Sequence, residues 1–314
     1  MTIPRIPPYR LPAVADFPDN RPDWQVQPAR AALLIHDMQR YFLNFFDVQQ
    51  SPVPAMLQNI VAIRSACQLQ GIPVFYTAQQ VEQSESERGL LTDVWGPGLS
   101  AQPGQETIAE QVKPERGDRL LTKWRYSAFQ RTELRTLLHQ EGRDQLMICG
   151  VYAHIGCLMT AGEAFMNDIQ PFLIGDAVAD FSLDYHHMAM NYVAQRCGMT
   201  LSSGQLIDML CDRSGDRAES DSPAQALSAA AIIQVLRQQL GELLQQPPQQ
   251  VGAEENLLDW GLDSIRLMSL VETWRRRGAE VSFTDLAEQP TLAAWTQLLS
   301  RQVTSRQITT SDRN

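Results

Sequence analysis

Two rhythms of apolar residues alternate over the first two-thirds of the chain. Ala31-Ala-Leu-Leu-Ile-His36 is a short, nearly continuous apolar run, the pattern of a strand buried on both faces of a parallel sheet. Met56, Ile60, Ile63 and Cys67 then recur at helical spacing, and Gly71 follows where a C-terminal cap belongs, which predicts a helix over 54–70. Further strands are predicted at Ile72–Thr77, Arg119–Lys123, Gln145–Val151 and Pro171–Ala177, with helices over 132–141, 157–169 and 183–198. Strand and helix take turns throughout. The expected fold class is therefore α/β, a mainly parallel sheet with helices on both faces. Prolines punctuate residues 1–28, where no period emerges.

The rhythm breaks after residue 210. Residues 212–222 read Asp-Arg-Ser-Gly-Asp-Arg-Ala-Glu-Ser-Asp-Ser, with no apolar anchor, the composition of a linker. Beyond it only helical spacing remains. Leu227, Ala230, Ile233, Leu236, Leu240 and Leu243 fall on one predicted face, Gln245-Gln-Pro-Pro ends that helix, and apolar-periodic segments follow at 265–274 and 290–299. The expected organisation is an α/β domain over 1–210, a linker over 211–222, a small helical bundle over 223–302 and a disordered tail over 303–314.

Composition narrows the function classes. A chain of 314 residues with 44% hydrophobic and 20% charged residues suits about two ordinary globular domains. A net charge of -10 argues against nucleic-acid binding, which wants a basic face. No apolar run is long enough to span a bilayer, and the proline-rich start lacks the apolar core of a signal peptide. The five cysteines, Cys67, Cys149, Cys157, Cys197 and Cys211, form no Cys-x-x-Cys pair and read as reduced thiols of a cytoplasmic protein. No His/Cys spacing suggests a metal site.

Ligands of open parallel sheets bind beyond the carboxyl ends of the strands. That rule alone selects Asp37 after the first predicted strand, Gln79 after the second, Lys123 at the end of the third and Tyr152–Gly156 after the fourth. Singly, Asp37 reads as a turn cap and Lys123 as a surface charge. An acid and a base converging on one edge make a catalytic site the sharper expectation.

Four segments carry a resemblance: Leu34-Ile-His-Asp-Met-Gln39, Tyr76-Thr-Ala-Gln79, Lys123-Trp-Arg-Tyr-Ser-Ala-Phe129 and Gly150-Val-Tyr-Ala-His-Ile-Gly156. Together they resemble the isochorismatase-like hydrolases, over residues 31–204. Many members of that family use an Asp–Lys–Cys triad. Asp37 and Lys123 match it, whereas the cysteine position falls on Gly156. Cys157 lies one residue late, and one helical step turns a side chain by about 100°. The resemblance then implies the branch that acts on a vinyl ether, hydrolysing isochorismate to 2,3-dihydro-2,3-dihydroxybenzoate and pyruvate. That reaction needs a proton and a water but no nucleophile from the protein. The implied roles are Asp37 as general acid, kept neutral while Lys123 and Arg88 pair with the substrate carboxylates. Phe42, Trp95 and Tyr152 would wall the ring, and Gln79 would bond a substrate oxygen. The plain reading of those aromatics is core packing, and of His36 and His154, structural histidines.

Near the C-terminus, Asn256-Leu-Leu-Asp-Trp-Gly-Leu-Asp-Ser264-Ile-Arg266 places a hydroxyl at the start of a predicted helix, where backbone N–H groups favour an anion. The segment resembles the phosphopantetheine attachment site of carrier proteins, although Asp263 and Ser264 also suit a plain helix cap. Combined, the resemblances imply a hydrolase fused to an aryl carrier domain of nonribosomal, catecholate siderophore synthesis. The cofactor implied is 4′-phosphopantetheine on Ser264. The partners implied are a phosphopantetheinyl transferase, a 2,3-dihydroxybenzoate-activating ligase, a condensation domain of a nonribosomal peptide synthetase and a second copy in a homodimer. Two alternatives stay open: a carrier or docking protein with an idle hydrolase domain, and a phenazine-pathway hydrolase acting on an amino analogue of isochorismate.

Overall fold

The structure is a computed structural model describing residues 3–101, 104–211, 229–244, 252–262, 266–268, 270–271, 274, 279 and 281–300. It divides into two compact units, residues 1–210 and 211–314.

The first unit is built on six strands: β1 (Ala31–His36), β2 (Val74–Ala78), β3 (Arg119–Thr122), β4 (Gln145–Val151), β5 (Gln170–Ala179) and β6 (Met199–Leu201). Their order is β3-β2-β1-β4-β5-β6, and every pairing is parallel. β1 and β4 at the centre are buried along their whole length, as their unbroken apolar runs require. Chain direction across the sheet reverses between them: β2 and β3 lie to one side of β1, β4 to β6 to the other. The crevice beyond their carboxyl ends is the topological switch point.

Helices cover both faces. α1 (Arg40–Leu43) is a single turn, and α2 (Val53–Leu69) packs on β1, β4 and β5. Met56, Ile60, Ile63 and Cys67 are fully buried, the stripe that the spacing predicts. Two further single turns are α3 (Glu85–Arg88) and α4 (Leu91–Trp95). The opposite face carries α5 (Leu134–Gln140), α6 (Leu158–Met166) and α7 (Leu183–Tyr192), whose Leu134, Ala161 and Ala189 pack with Ala32, Leu34, Leu146 and Ile148. α8 (Ser203–Cys211) follows β6.

Several boundaries differ from the sequence reading. The helix expected from Cys157 starts at Leu158, after a wide turn over Ala153–Cys157, and ends at Met166. α7 stops at Tyr192 and gives way to a second wide turn, Val193–Cys197, so the expected run to 198 is not one regular helix. β5 is longer than predicted, because its register against β4 jumps from Ile148↔Leu173 to Gly150↔Val178 and the extra residues are absorbed in an irregularity. β6 and α8 had no sequence signal strong enough to predict. β6 has three residues, and α8 is fixed by burying Leu206, Ile207 and Leu210. The aperiodic N-terminal segment packs against the sheet domain, with Ile3, Ile6 and Val26 buried and the Tyr9 hydroxyl accepting from the Asp180 N–H at 2.8 Å.

In the second unit, α9 (Ala229–Leu244) buries Ile232, Leu236, Leu240 and Leu244. The expected face through Ile233 and Leu243 is turned by one position: both are half-buried. An i, i+4 series spaces the buried side chains, and Ile232 rather than Ile233 begins it. A turn at 256–261 and helical residues at 283–288 and 292–300 complete the core around Leu257, Leu262, Trp274 and Trp295. Ser282 caps Phe283–Glu288 in a reciprocal box with Asp285. Cys211 ends α8, and the rest of the expected linker, the tail, Leu227, Asp263 and Ser264 lie outside the described residues.

Candidate active site

Asp37 follows the last paired residue of β1. Its backbone is in the left-handed region, φ 51°, which Asp tolerates better than most side chains. Its N–H donates to Thr77 of β2, at 3.1 Å from Oγ1. The Thr77 hydroxyl donates in turn to Asp37 Oδ1 at 2.7 Å. A non-glycine residue held in this region at the mouth of a sheet is the kind of strain that functional sites store.

Lys123 follows β3 directly, and its N–H continues the ladder to the Ala78 carbonyl at 2.8 Å. β3 lies two strands from β1, a spacing of about 10 Å. The lysine stem bridges that gap and sets Nζ 2.8 Å from Asp37 Oδ2. The side chains are 3% and 5% exposed, so this is a buried ion pair. Such a pair is retained only where geometry and extra hydrogen bonds offset desolvation, and Thr77 supplies the further bond to the carboxylate.

The other residues singled out from the sequence surround this pair. Asp37, Phe42, Gln79, Arg88, Trp95, Lys123, Tyr152 and Gly156 all line one pocket, which encloses about 540 Å³ including its open mouth. Arg88 is buried, and its Nε donates to the Gly96 carbonyl at 2.6 Å. Burial lowers its pKa from the ordinary guanidinium value, with Tyr41 and Tyr126 acting in the other direction. The Trp95 indole N–H donates to the Tyr126 hydroxyl at 2.7 Å, tying α4 to the loop after β3. The Tyr152 hydroxyl donates to the Phe42 carbonyl at 2.7 Å, so its proton is committed within the protein. Phe42 and Phe181 meet that ring edge-on. Gln79 is clasped through its backbone by the Gln39 amide, at 2.7 and 2.9 Å, leaving its own side chain toward the pocket.

Cys157 does not line the pocket. It is fully buried among the apolar side chains of α5, α6 and α7, and burial raises its thiol pKa well above the usual range. A thiol held neutral in an apolar core is a poor nucleophile. His154 sits beside the site, with Nδ1 2.5 Å from Asp180 Oδ1 and its ring stacked on Tyr185.

Sequence reasoning passed over several residues of the site. Thr77, one residue from the end of β2, bonds Asp37 and was reachable by the strand-end rule. Tyr126 and Phe181 follow β3 and β5 and were reachable in the same way. Ile3, Tyr41, Leu91 and Arg125 also line the pocket; Ile3 comes from an aperiodic segment with no local signal. Among the described residues, no group of three or more His, Cys, Asp or Glu is placed to hold a metal ion. No helix there is long and apolar enough to cross a membrane.

Comparison with known proteins decides the lineage. The family model described as isochorismatase domain matches residues 31–205. This chain belongs to the isochorismatase family. A second model, phosphopantetheine attachment site, matches residues 234–299. The protein named isochorismatase from Bacillus subtilis (strain 168) is 50% identical over 300 residues, covering 96% of each chain. Enterobactin synthase component B of Escherichia coli (strain K12) is 44% identical over 303 residues, covering 96% of this chain and all of that one. Phenazine biosynthesis protein PhzD of Pseudomonas fluorescens is 48% identical, but over 210 residues that cover 65% of this chain and 98% of its own. Family members that match the whole chain therefore extend over both units, whereas the phenazine relative leaves the remainder unmatched.

Proposed function

We propose that the chain hydrolyses the vinyl ether of isochorismate on residues 1–210 and carries 2,3-dihydroxybenzoate as a phosphopantetheine thioester on residues 223–302, with 211–222 as linker and 303–314 as tail. The observation that carries the hydrolytic reading is the buried Lys123–Asp37 pair, 2.8 Å apart, facing a position that has no side chain, Gly156. An acid and a cation with no nucleophile beside them suit proton transfer to carbon better than acyl transfer.

In the proposed reaction, Asp37 protonates the terminal enol carbon. The resulting oxocarbenium ion takes up water, and the hemiketal collapses to pyruvate and 2,3-dihydro-2,3-dihydroxybenzoate. A substrate carboxylate entering beside Lys123 competes with Asp37 for the ammonium. In this reading Arg88 holds the second carboxylate, Gln79 bonds a substrate oxygen, and Phe42, Trp95 and Tyr152 wall the ring. Strain at Asp37 and the Thr77 bond fix the direction in which the carboxyl points.

For the carrier role, Ser264 is the proposed attachment point. The described neighbourhood fits a phosphopantetheine arm: Leu257 and Leu262 are buried as anchors, Leu258 is exposed, and Arg266 donates to the Gly261 carbonyl at 2.6 Å. The arm supplies a thiol that holds an acyl group as thioester. The partners proposed are a phosphopantetheinyl transferase, a ligase that activates 2,3-dihydroxybenzoate, a condensation domain of a nonribosomal peptide synthetase and a second copy of the chain, all in the cytoplasm. The test uses full-length protein. Pyruvate release from isochorismate, and a single phosphopantetheine mass gain with coenzyme A and a transferase, are the expected results. Failure of the first leaves a carrier with an idle hydrolase domain; failure of the second leaves a stand-alone type of hydrolase.

A further inference from the structure

We infer that His36 is a specificity-determining residue: its imidazole occupies the space that any side chain at position 156 would need, and thereby keeps a protein nucleophile out of the Asp37–Lys123 site. The inference rests on the reading that Asp37 and Lys123 carry the chemistry.

His36 is the last residue of β1 and fully buried. Its Nδ1 lies 2.9 Å from the Val151 carbonyl at the end of β4, so Nδ1–H donates there and the ring spans the two central strands. A Cβ built on Gly156 would overlap that ring, 2.8 Å from Nε2, 2.9 Å from Nδ1 and closer still to Cε1. The backbone of His36 is hemmed in as well: a Cβ on Gly150 would stand 2.8 Å from His36 N and 2.9 Å from its carbonyl carbon. Two glycines, before and after the end of β4, thus make room for one histidine, its main chain against Gly150 and its ring against Gly156. The imidazole cannot swing out, since it has no exposed surface and its hydrogen bond would be lost.

The ring acts as a spacer and not as a proton donor to Asp37. Its Nδ1 is 3.7 Å from Asp37 Oδ2, beyond hydrogen-bond reach, and its one proton is committed to Val151. Burial lowers its pKa to about 4, which keeps it neutral. Position 156 lines the pocket with Asp37 and Lys123. A thiol there would stand beside a carboxylate and an ammonium, the surroundings that activate a nucleophile. Histidine at 36 and a side chain at 156 therefore exclude one another, and the choice between them decides whether the pocket can form a covalent bond to its substrate.

The test compares full-length Gly156→Ala, His36→Val and the double variant, then His36→Val with Gly156→Cys. Gly156→Ala should lower the urea midpoint and cut pyruvate release by ~100-fold, because it displaces a ring packed against the acid. The double variant should be more stable than Gly156→Ala alone, since valine lacks the overlapping ring atoms. In His36→Val with Gly156→Cys, iodoacetamide should add one adduct more than in the His36→Val parent, with a pH profile shifted below that of a free thiol. A double variant no more stable than Gly156→Ala, or a Gly156→Ala protein equal to wild type, overturns the inference. So does an introduced thiol that resists alkylation. Stability and alkylation are read without isochorismate, so a failure of the hydrolase reading itself would show separately, as wild-type protein that releases no pyruvate.

Discussion

Lys123 Nζ reaches Asp37 Oδ2 at 2.8 Å across the width of β2, with both side chains shut off from solvent. The two residues are 86 positions apart in the chain. Thr77, on the strand between them, bonds the other carboxylate oxygen at 2.7 Å. Three neighbouring strand ends thus hold one carboxyl group in one orientation. The energetic consequence is that the pair is costly to break from one side, because a lone buried charge would remain.

Asp37→Asn keeps the shape of the side chain and removes its acid. Turnover of isochorismate should fall by at least ~10²–10⁴-fold, the scale of a lost general acid. Pyruvate release in single-turnover conditions measures it, with circular dichroism as a check on folding. A mutant that releases pyruvate at a near-normal rate removes Asp37 from the mechanism.

Cys157→Ala should keep most of its activity. The thiol is buried in the apolar cluster of α5, α6 and α7, away from the pocket. The loss should appear in stability instead, on the order of 1 kcal/mol for a small buried group. An activity loss as deep as that of Asp37→Asn, or a covalent adduct recovered on Cys157 during turnover, contradicts this placement.

Ser264→Ala should separate the two roles. The variant should hydrolyse isochorismate at the wild-type rate, because the described residues that line the pocket all lie between Ile3 and Phe181. It should gain no mass on incubation with coenzyme A and a phosphopantetheinyl transferase, and assembly that depends on the loaded carrier should stop. Uptake of the group by the variant would move the attachment point elsewhere. A wild type that never takes it up would return Ser264 to the role of a helix cap.

Stability should fall with acid before the carboxylates titrate. His36 and His186 are both buried, and burial lowers each pKa to about 4, from the ordinary imidazole value of 6.5. Between those values the unfolded chain binds protons that the folded chain refuses, so the stabilising contribution is full above pH 6.5 and is lost as pH falls towards 4. Each histidine contributes about 1.4 kcal/mol per pH unit inside that window. Urea unfolding at pH 7.0, 6.0 and 5.0 should show a slope approaching two protons below pH 6. A flat profile from 7 to 5 would mean that neither imidazole is held neutral in the fold.

Much of the architecture was legible in the chain because it rests on local periodicity. Unbroken apolar runs marked β1 and β4, and the Met56–Cys67 stripe marked α2, since burial on both faces or on one face leaves its period in the sequence. The strand-end rule selected Asp37, Gln79, Lys123 and Tyr152–Gly156 without knowledge of the fold, and Asp37, Gln79, Lys123, Tyr152, Ile155 and Gly156 line one pocket, while Ala153 and His154 do not. What the chain alone could not state was distance. Strand order β3-β2-β1-β4-β5-β6 follows from packing between segments far apart in sequence, which leaves no short-range pattern. That order decided that a lysine would lie across two strands from an aspartate, that Thr77 would stand between them, and that Ile3 from an aperiodic segment would join the pocket. It also decided the meaning of two residues that look plain in one dimension: a histidine read as structural and a glycine where a nucleophile was absent occupy the same volume. Side-chain type is written at each position, but which two side chains compete for one space is settled only when the strands carrying them are paired.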